Sequence, residues 1–349
     1  MSITSFYFLA LVTVGVLVYY VVPKSIQWMI LLVLSAVFYY FAATPCTIGY
    51  LVVSTMIAYL STMWIQKKRD ALGREAKGLL VVTFVALAVN IAIWFFVKGR
   101  GLWVPFASRL TAWRDVSVLD SLVNWKIAAS LGMGYYTLQV MGYIIDCYWE
   151  NITPQKNPLK LFLFVCYFPQ LTTGPISRYT QLNTLYSPHR FEYRNLAFGS
   201  QRILWGFMKK IVLAERVGMI VSAINADPGT YTGFYSWIAI LLYPLQMYAD
   251  FSGCMDIVLG VSELFGIPLA ENFNNPFFSR SSQEFWQRWH ITLGTWAKDY
   301  VLYPLLKSKS MVNFGKVTRK KYGKKTGKFL VNLVGMFMLW MIMGIWHGG

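Results

Sequence analysis

Acidic side chains are scarce: 15 Asp and Glu stand against 32 Lys and Arg, and only 13% of the 349 residues are charged. A soluble globular domain carries about a quarter charged residues, so that class is excluded. Histidine is scarcer, with three copies, and the four cysteines form no CxxC pair and no metal-ligand spacing. Cys46, Cys147, Cys166 and Cys254 therefore read as small buried residues, and no metal site is expected. The sequence holds no GxxxxGK[ST] phosphate loop, no repeat of fixed period and no low-complexity tract. It reads as one domain over residues 1–349.

Apolar side chains fill the space left by charge. They make up 56% of the chain, and several runs approach or exceed the roughly 20 residues that cross a bilayer. The runs lack the alternation of barrel strands, and an isolated backbone in lipid satisfies itself as a helix. The expected fold is an all-α polytopic membrane protein. The formal charge of +17 sits beside the apolar runs, which marks cytoplasmic loops and not a nucleic-acid partner.

The spans follow in order. Ile3 to Val22 has no basic residue before it and Lys24 after it, the wrong polarity for a signal peptide. It is kept as a helix with its N-terminus outside. Ile26 to Ala42 and Thr47 to Ile65 follow, then Gln66 to Lys77 with five basic and two acidic residues. Three spans from an outside start put that loop in the cytoplasm, as the positive-inside rule requires. Leu79 to Val97 crosses next, Lys98 to Asp120 suits an interface, and Ser121 to Trp149 is a long run ending near Asp146. Gly132, Gly134 and Gly142 permit close helix packing there. Leu159 to Ile176 should break at Pro169, Gly174 and Pro175. His189 reads as a solvated loop residue. Ile203 to Ala223 holds Lys209, Lys210, Glu215 and Arg216, so partial immersion is expected. Tyr231 to Leu264 reads as a pair of interrupted helices containing Asp250 and Asp256.

Two histidines close the chain. Ser281 with Glu284 predicts a capping box. Phe285, Trp286, Trp289, His290, Leu293, Trp296 and Tyr300 then form one apolar stripe, a helix lying along a membrane face or dipping into the bundle. On such a stripe His290 is either a packed core residue or a catalyst. His347 ends the apolar run Phe329 to Trp346, beside Gly348 and Gly349. A histidine within a membrane bundle is a functional candidate, and a neutral imidazole serves as a general base. The alternative is an interfacial histidine at a helix end. Between them, Lys307 to Lys328 carries nine basic and no acidic residues. It either sets topology and attracts anionic membrane lipid or forms a positive lip for coenzyme phosphates.

Leu131-Gly-Met-Gly-Tyr-Tyr-Thr-Leu-Gln139 with Tyr143-Ile-Ile-Asp146, Phe168-Pro-Gln-Leu-Thr-Thr-Gly-Pro-Ile176, Asp250-Phe-Ser-Gly253 with Asp256 and Gly260, Glu271-Asn-Phe-Asn274, Phe285-Trp-Gln-Arg-Trp-His290 and Trp346-His347-Gly348 form an ordered set. The set resembles the membrane-bound O-acyltransferase superfamily over nearly the whole chain. It looks closest to the alginate O-acetyltransferase branch, which is related to the D-alanyl transfer protein of teichoic acid modification. The resemblance implies a multi-helix bundle with broken, re-entrant and amphipathic interfacial helices around a funnel. It implies His347 as catalytic base and His290 as the histidine that orients or polarises substrate. Trp286, Trp289, Trp346, Asp250, Asp256 and Lys298 are then the expected substrate-binding or tunnel-lining positions. Family members continue with further helices past this motif, so the chain is expected to be truncated at its C-terminus relative to the family.

The function so implied is O-acetylation of a cell-surface polysaccharide. Acetyl-CoA or another cytoplasmic thioester is the co-substrate, no cofactor is held, and an extracellular or periplasmic acetyltransferase is the partner. The location is the bacterial cytoplasmic (inner) membrane. D-alanyl transfer from a carrier protein to teichoic acid is the alternative. An ion-coupled transporter is a third, with Asp146, Asp250 and Asp256 as ion ligands. An inert scaffold is a fourth. Helix capping and internal hydrogen bonding are the plainer account of the aspartates.

Overall fold

The computed structural model describes residues 1–74, 76–113 and 130–348. The expected interfacial segment beyond Trp113, the start of the Ser121 to Trp149 span, and Gly349 lie outside them. In chain order the helices are α1 (Phe6–Val21), α2 (Gln27–Ala42), α3 (Ile48–Leu72), α4 (Leu79–Val97) and α5 (Arg100–Trp113). Then come α6 (Met133–Tyr148), α7 (Pro158–Cys166), α8 (Phe168–Leu171), α9 (Tyr193–Phe207), α10 (Glu215–Ala226) and α11 (Phe234–Leu264). The last are α12 (Ser282–Arg288), α13 (Ile291–Ala297), α14 (Tyr303–Lys307), α15 (Lys309–Tyr322) and α16 (Lys324–Gly348). The all-helical expectation holds among the described residues, where a lone bridge from Phe273 to Trp289 is the only extended pairing. Lys24–Ala42, Pro45–Leu72, Leu79–Val97 and Lys324–Gly348 are long and apolar enough to cross a membrane.

The described residues form two compact units, each made of two chain segments. The first comprises Met1–Pro45 and Asn157–Trp289. Its central feature is the contact of α9 with α11. A side-chain carbon at Gly206 would lie 2.6 Å from the Gly253 carbonyl oxygen, and one at Gly260 would lie 2.6 Å from that of Gly199. Small residues let two backbones approach this closely, which is how helices associate in lipid. These glycines were expected to interrupt the Tyr231 to Leu264 segment. Instead α11 is a single helix of 31 residues that contains Pro244, and Gly253 and Gly260 serve the contact.

Two further expectations are corrected in this unit. The break near Pro169 falls at Tyr167, which leaves helical geometry so that Pro169 sits in the first turn of α8, where a missing N–H costs nothing. His189 is not a solvated loop residue. Its Nδ1 pairs with the Tyr19 hydroxyl at 2.8 Å, and Gln27 bonds both its N–H and its carbonyl.

The second unit comprises Cys46–Lys156 and His290–Gly349. In it α3 and α4 pack on α6, and α15 folds back on α16. Gly327 makes that hairpin tight: a carbon added there would meet the Arg319 backbone at 2.6 Å. Three of the four cysteines are buried and all are free.

Candidate active site

Helix α6 is the wall on which the second unit's site is built. It starts at Gly132, whose φ of 68° suits glycine. Its C-terminal carbonyls at Cys147 and Tyr148 accept from Arg69 Nη1 and Nη2 at 3.1 and 2.7 Å. A cation there satisfies orphan acceptors and complements the helix dipole. Between its ends α6 receives the segment that follows His290. Trp296 Nε1 donates to the Leu138 carbonyl at 2.9 Å, and the Tyr300 hydroxyl donates to Asp146 Oδ2 at 2.7 Å. Gly142 leaves the room: a side-chain carbon there would lie 3.3 Å from Trp296 Nε1 and 3.4 Å from the Tyr300 ring.

The helix expected over Ser281 to Tyr300 is interrupted at the histidine. Ser281 Oγ caps α12 by accepting from Glu284 N at 3.1 Å. The Glu284 carboxylate accepts from Arg280 N–H at 2.8 Å, one residue earlier than a capping box predicts. Trp289 is then extended and His290 takes φ 47°, ψ 52°. A left-handed residue with a side chain costs about 1–2 kcal/mol and persists only where its surroundings hold it. Here the Phe273–Trp289 bridge and the Asn274 N–H to Arg288 carbonyl bond hold the chain on one side. The His290 carbonyl accepts from Gly294 N–H on the other. The turn puts the His290 ring in the protein interior, 7% exposed. Burial first, and His347 second, push its imidazole down to about 3, so the ring is neutral at any ordinary working pH.

His347 lies near the end of α16 and is exposed. It belongs to the same unit as His290. Its ring lies edge-on to Trp346, with centroids 4.5 Å apart, and Trp346 in turn meets Tyr135 edge-on at 6.2 Å. Lys98, at the end of α4, places Nζ 5.5 Å from the Trp346 ring. Lys98 was missed by sequence reasoning because nothing local distinguishes it from any lysine flanking an apolar run.

The remaining sequence-predicted positions are less concentrated. Lys298 opens a π-helical turn in the second unit. Trp286, Trp289, Asp250 and Asp256 belong to the first. Trp289 stacks on Phe285 at 5.6 Å and meets Phe273 edge-on at 5.1 Å, while Trp286 is 45% exposed. Asp250 pairs with Lys210 at 2.5 Å, and Asp256 pairs with Arg202 at 3.1 Å and with Lys209. Lys209 and Lys210 were expected to hold their segment partly out of the membrane. The structure partners both of them on α11.

Residues 154–319 match the membrane-bound O-acyltransferase family. The chain carries a membrane-bound O-acyltransferase domain. It is 28% identical over 330 residues to a probable alginate O-acetylase of Pseudomonas putida, covering 95% of this chain and 63% of the relative. It is 30% identical over 246 residues to a peptidoglycan O-acetyltransferase of Helicobacter pylori, covering 62% and 43%. It is also 30% identical over 228 residues to a teichoic acid D-alanyltransferase of Bacillus subtilis, covering 64% and 55%. The chain thus spans less than two thirds of the length of these relatives. In this chain both histidines lie in one unit, and α6 contacts the segments that carry them.

Proposed function

We propose that this chain is the acyl-transfer part of a bacterial membrane enzyme that O-acetylates a cell-surface polysaccharide. The observation that carries the proposal is a buried His290 in the same unit as His347, which lies near the end of an apolar helix. The relatives' names supply the chemistry: two of those above are O-acetyl transferring proteins that act on alginate and on peptidoglycan.

The mechanism needs few parts. His347 takes the proton of an acceptor hydroxyl, whose oxygen attacks the carbonyl carbon of an acyl thioester. The tetrahedral oxyanion collapses and expels the thiolate, which takes the proton back from His347. Acetyl-CoA from the cytoplasm is the proposed thioester. His290, neutral and rigidly held, offers a ring nitrogen to orient the substrate. The enzyme sits in the inner membrane, with its N-terminus outside and Gln66 to Lys77 in the cytoplasm. An acetyltransferase at the outer face completes delivery to the glycan. D-alanyl transfer to teichoic acid is the second reading, favoured by the 30% identity to the Bacillus subtilis D-alanyltransferase.

The test uses cells carrying the gene and a His347→Ala copy. Base-labile esters are released from the surface polysaccharide and the acid is identified. Loss of acetate in the variant supports the proposal, and loss of D-alanine supports the second reading. An unchanged ester content with both proteins in the membrane rejects both.

A further inference from the structure

Gly199 meets Gly260 and Gly206 meets Gly253, so α9 and α11 run antiparallel. The start of α9 therefore lies toward the end of α11. A surface groove of about 380 Å³ follows this edge of the pair. Arg194, Phe198, Gln201, Arg202 and Trp205 of α9 line it, with Glu263 from the last turn of α11. The α9 residues recur at helical spacings of 3 and 4, which puts them on one face.

The charges of the groove divide into two sets. Arg202 is occupied: Nε donates to Asp256, and Nη1 and Nη2 donate to Glu271. Lys209 also pairs with Asp256, so two cations and two carboxylates cancel there. Arg194 and Glu263 remain. Among the described residues neither forms an ion pair, with the other or with any third side chain. The Arg194 guanidinium carbon lies 5.6 Å from the Phe198 ring, a cation–π contact that keeps the charge on the groove wall. Phe198 and Trp205 are 54% and 55% exposed, as aromatic side chains are where a membrane protein meets lipid.

One free cation, one free carboxylate and two exposed aromatic rings in the same groove call for a particular complement. It carries an anion and an ammonium a few bonds apart on an apolar body. A phosphate oxygen accepts from Arg194 and from the Gln201 amide, and an ammonium donates to Glu263. Acyl chains cover Phe198 and Trp205. A headgroup with phosphate alone would bring a like charge into the groove of Glu263. A quaternary ammonium has no N–H to give that carboxylate.

We infer that the groove between α9 and α11 is a binding site for phosphatidylethanolamine, with its phosphate on Arg194 and its ammonium on Glu263. The site lies wholly in the first unit and stands apart from the acyl-transfer reading above.

The test follows the thermal midpoint of the full chain in an uncharged detergent as dioctanoyl lipids are added. Phosphatidylethanolamine should raise the midpoint at lower concentration than phosphatidylglycerol or phosphatidylcholine. Arg194→Gln should weaken phosphatidylethanolamine binding about tenfold or more, the scale of one hydrogen bond to a charged group. Glu263→Gln should bring phosphatidylethanolamine and phosphatidylglycerol to equal affinity, and it carries the test should Arg194→Gln fail to accumulate. Arg216→Gln, outside the groove, should bind as the unaltered chain does. Glycerophosphoethanolamine, which has the headgroup and no chains, should give no shift over the same range; an equal shift would overturn the assignment to a lipid. Phosphatidylglycerol binding as tightly as phosphatidylethanolamine in the unaltered chain overturns the zwitterion site. So does an unchanged lipid preference in Glu263→Gln, or a midpoint that no lipid moves.

Discussion

The Tyr300 hydroxyl donates to Asp146 Oδ2 at 2.7 Å, and both side chains are buried. Asn151 Nδ2 donates to the other carboxylate oxygen at 2.9 Å. Tyr300→Phe removes one donor from a buried carboxylate and should cost about 1–3 kcal/mol. Thermal unfolding in detergent should show a lower midpoint. Combined with Asp146→Ala in a double-mutant cycle, the two losses should fall short of additivity. Full additivity would mean that the bond contributes nothing.

The α9–α11 contact depends on backbone meeting backbone. Gly206→Ala puts a methyl 2.6 Å from the Gly253 carbonyl oxygen, so the helices must part. The expected loss is about 1–3 kcal/mol, the range for an overpacked interior. Gly49→Ala, at a helical glycine with nothing within 4 Å, should change stability by less than about 0.5 kcal/mol. Equal effects at the two positions would argue against the close contact.

Asp256 offers a choice between a structural and a substrate-handling role. Its side chain is 14% exposed and is shared by Arg202 and Lys209. Asp256→Ala leaves Lys209 without this partner and should destabilise by about 3 kcal/mol, as broken buried pairs do. KM for the thioester should stay unchanged. A raised KM without loss of stability would restore the tunnel-lining expectation.

His290 predicts a pH dependence whose sign follows from burial. In the folded chain its pKa is about 3, against about 6.5 when unfolded. Between these values the unfolded state binds the proton and the folded state does not. Stability from this site is therefore full above about pH 6.5 and is lost as pH falls toward 3. His290→Gln, which cannot titrate, should flatten that part of the curve of unfolding midpoint against pH. An unchanged slope would place the histidine in a wetter environment.

Much of the fold is written in local pattern. Apolar length locates α2, α3, α4 and α16, because lipid demands a self-satisfied backbone over a fixed thickness. The breaks are less legible. The apolar stripe runs unbroken through Trp289 and His290, and what turns the chain there is the bridge to Phe273, distant in sequence. Glycine is ambiguous for a related reason. Gly253 and Gly260 look like interruptions in sequence, yet they serve close approach, and only the neighbouring helix distinguishes the two uses. Both histidines are recognisable from the motifs around them. Lys98 is not, because its place beside Trp346 comes from folding.

The two-segment make-up of the second unit sets an order on synthesis. When the ribosome has delivered Trp289, every residue of the first unit exists, while α6 still lacks all its contacts from His290 onward. The Asp146 carboxylate waits for the Tyr300 hydroxyl, and the Leu138 carbonyl for the Trp296 indole. A chain stalled before residue 290 therefore holds α6 with its Asn151, α3 and α4 contacts but without its Tyr300 and Trp296 donors. Residues 290–349 therefore supply the surroundings that α6 lacks until they are made.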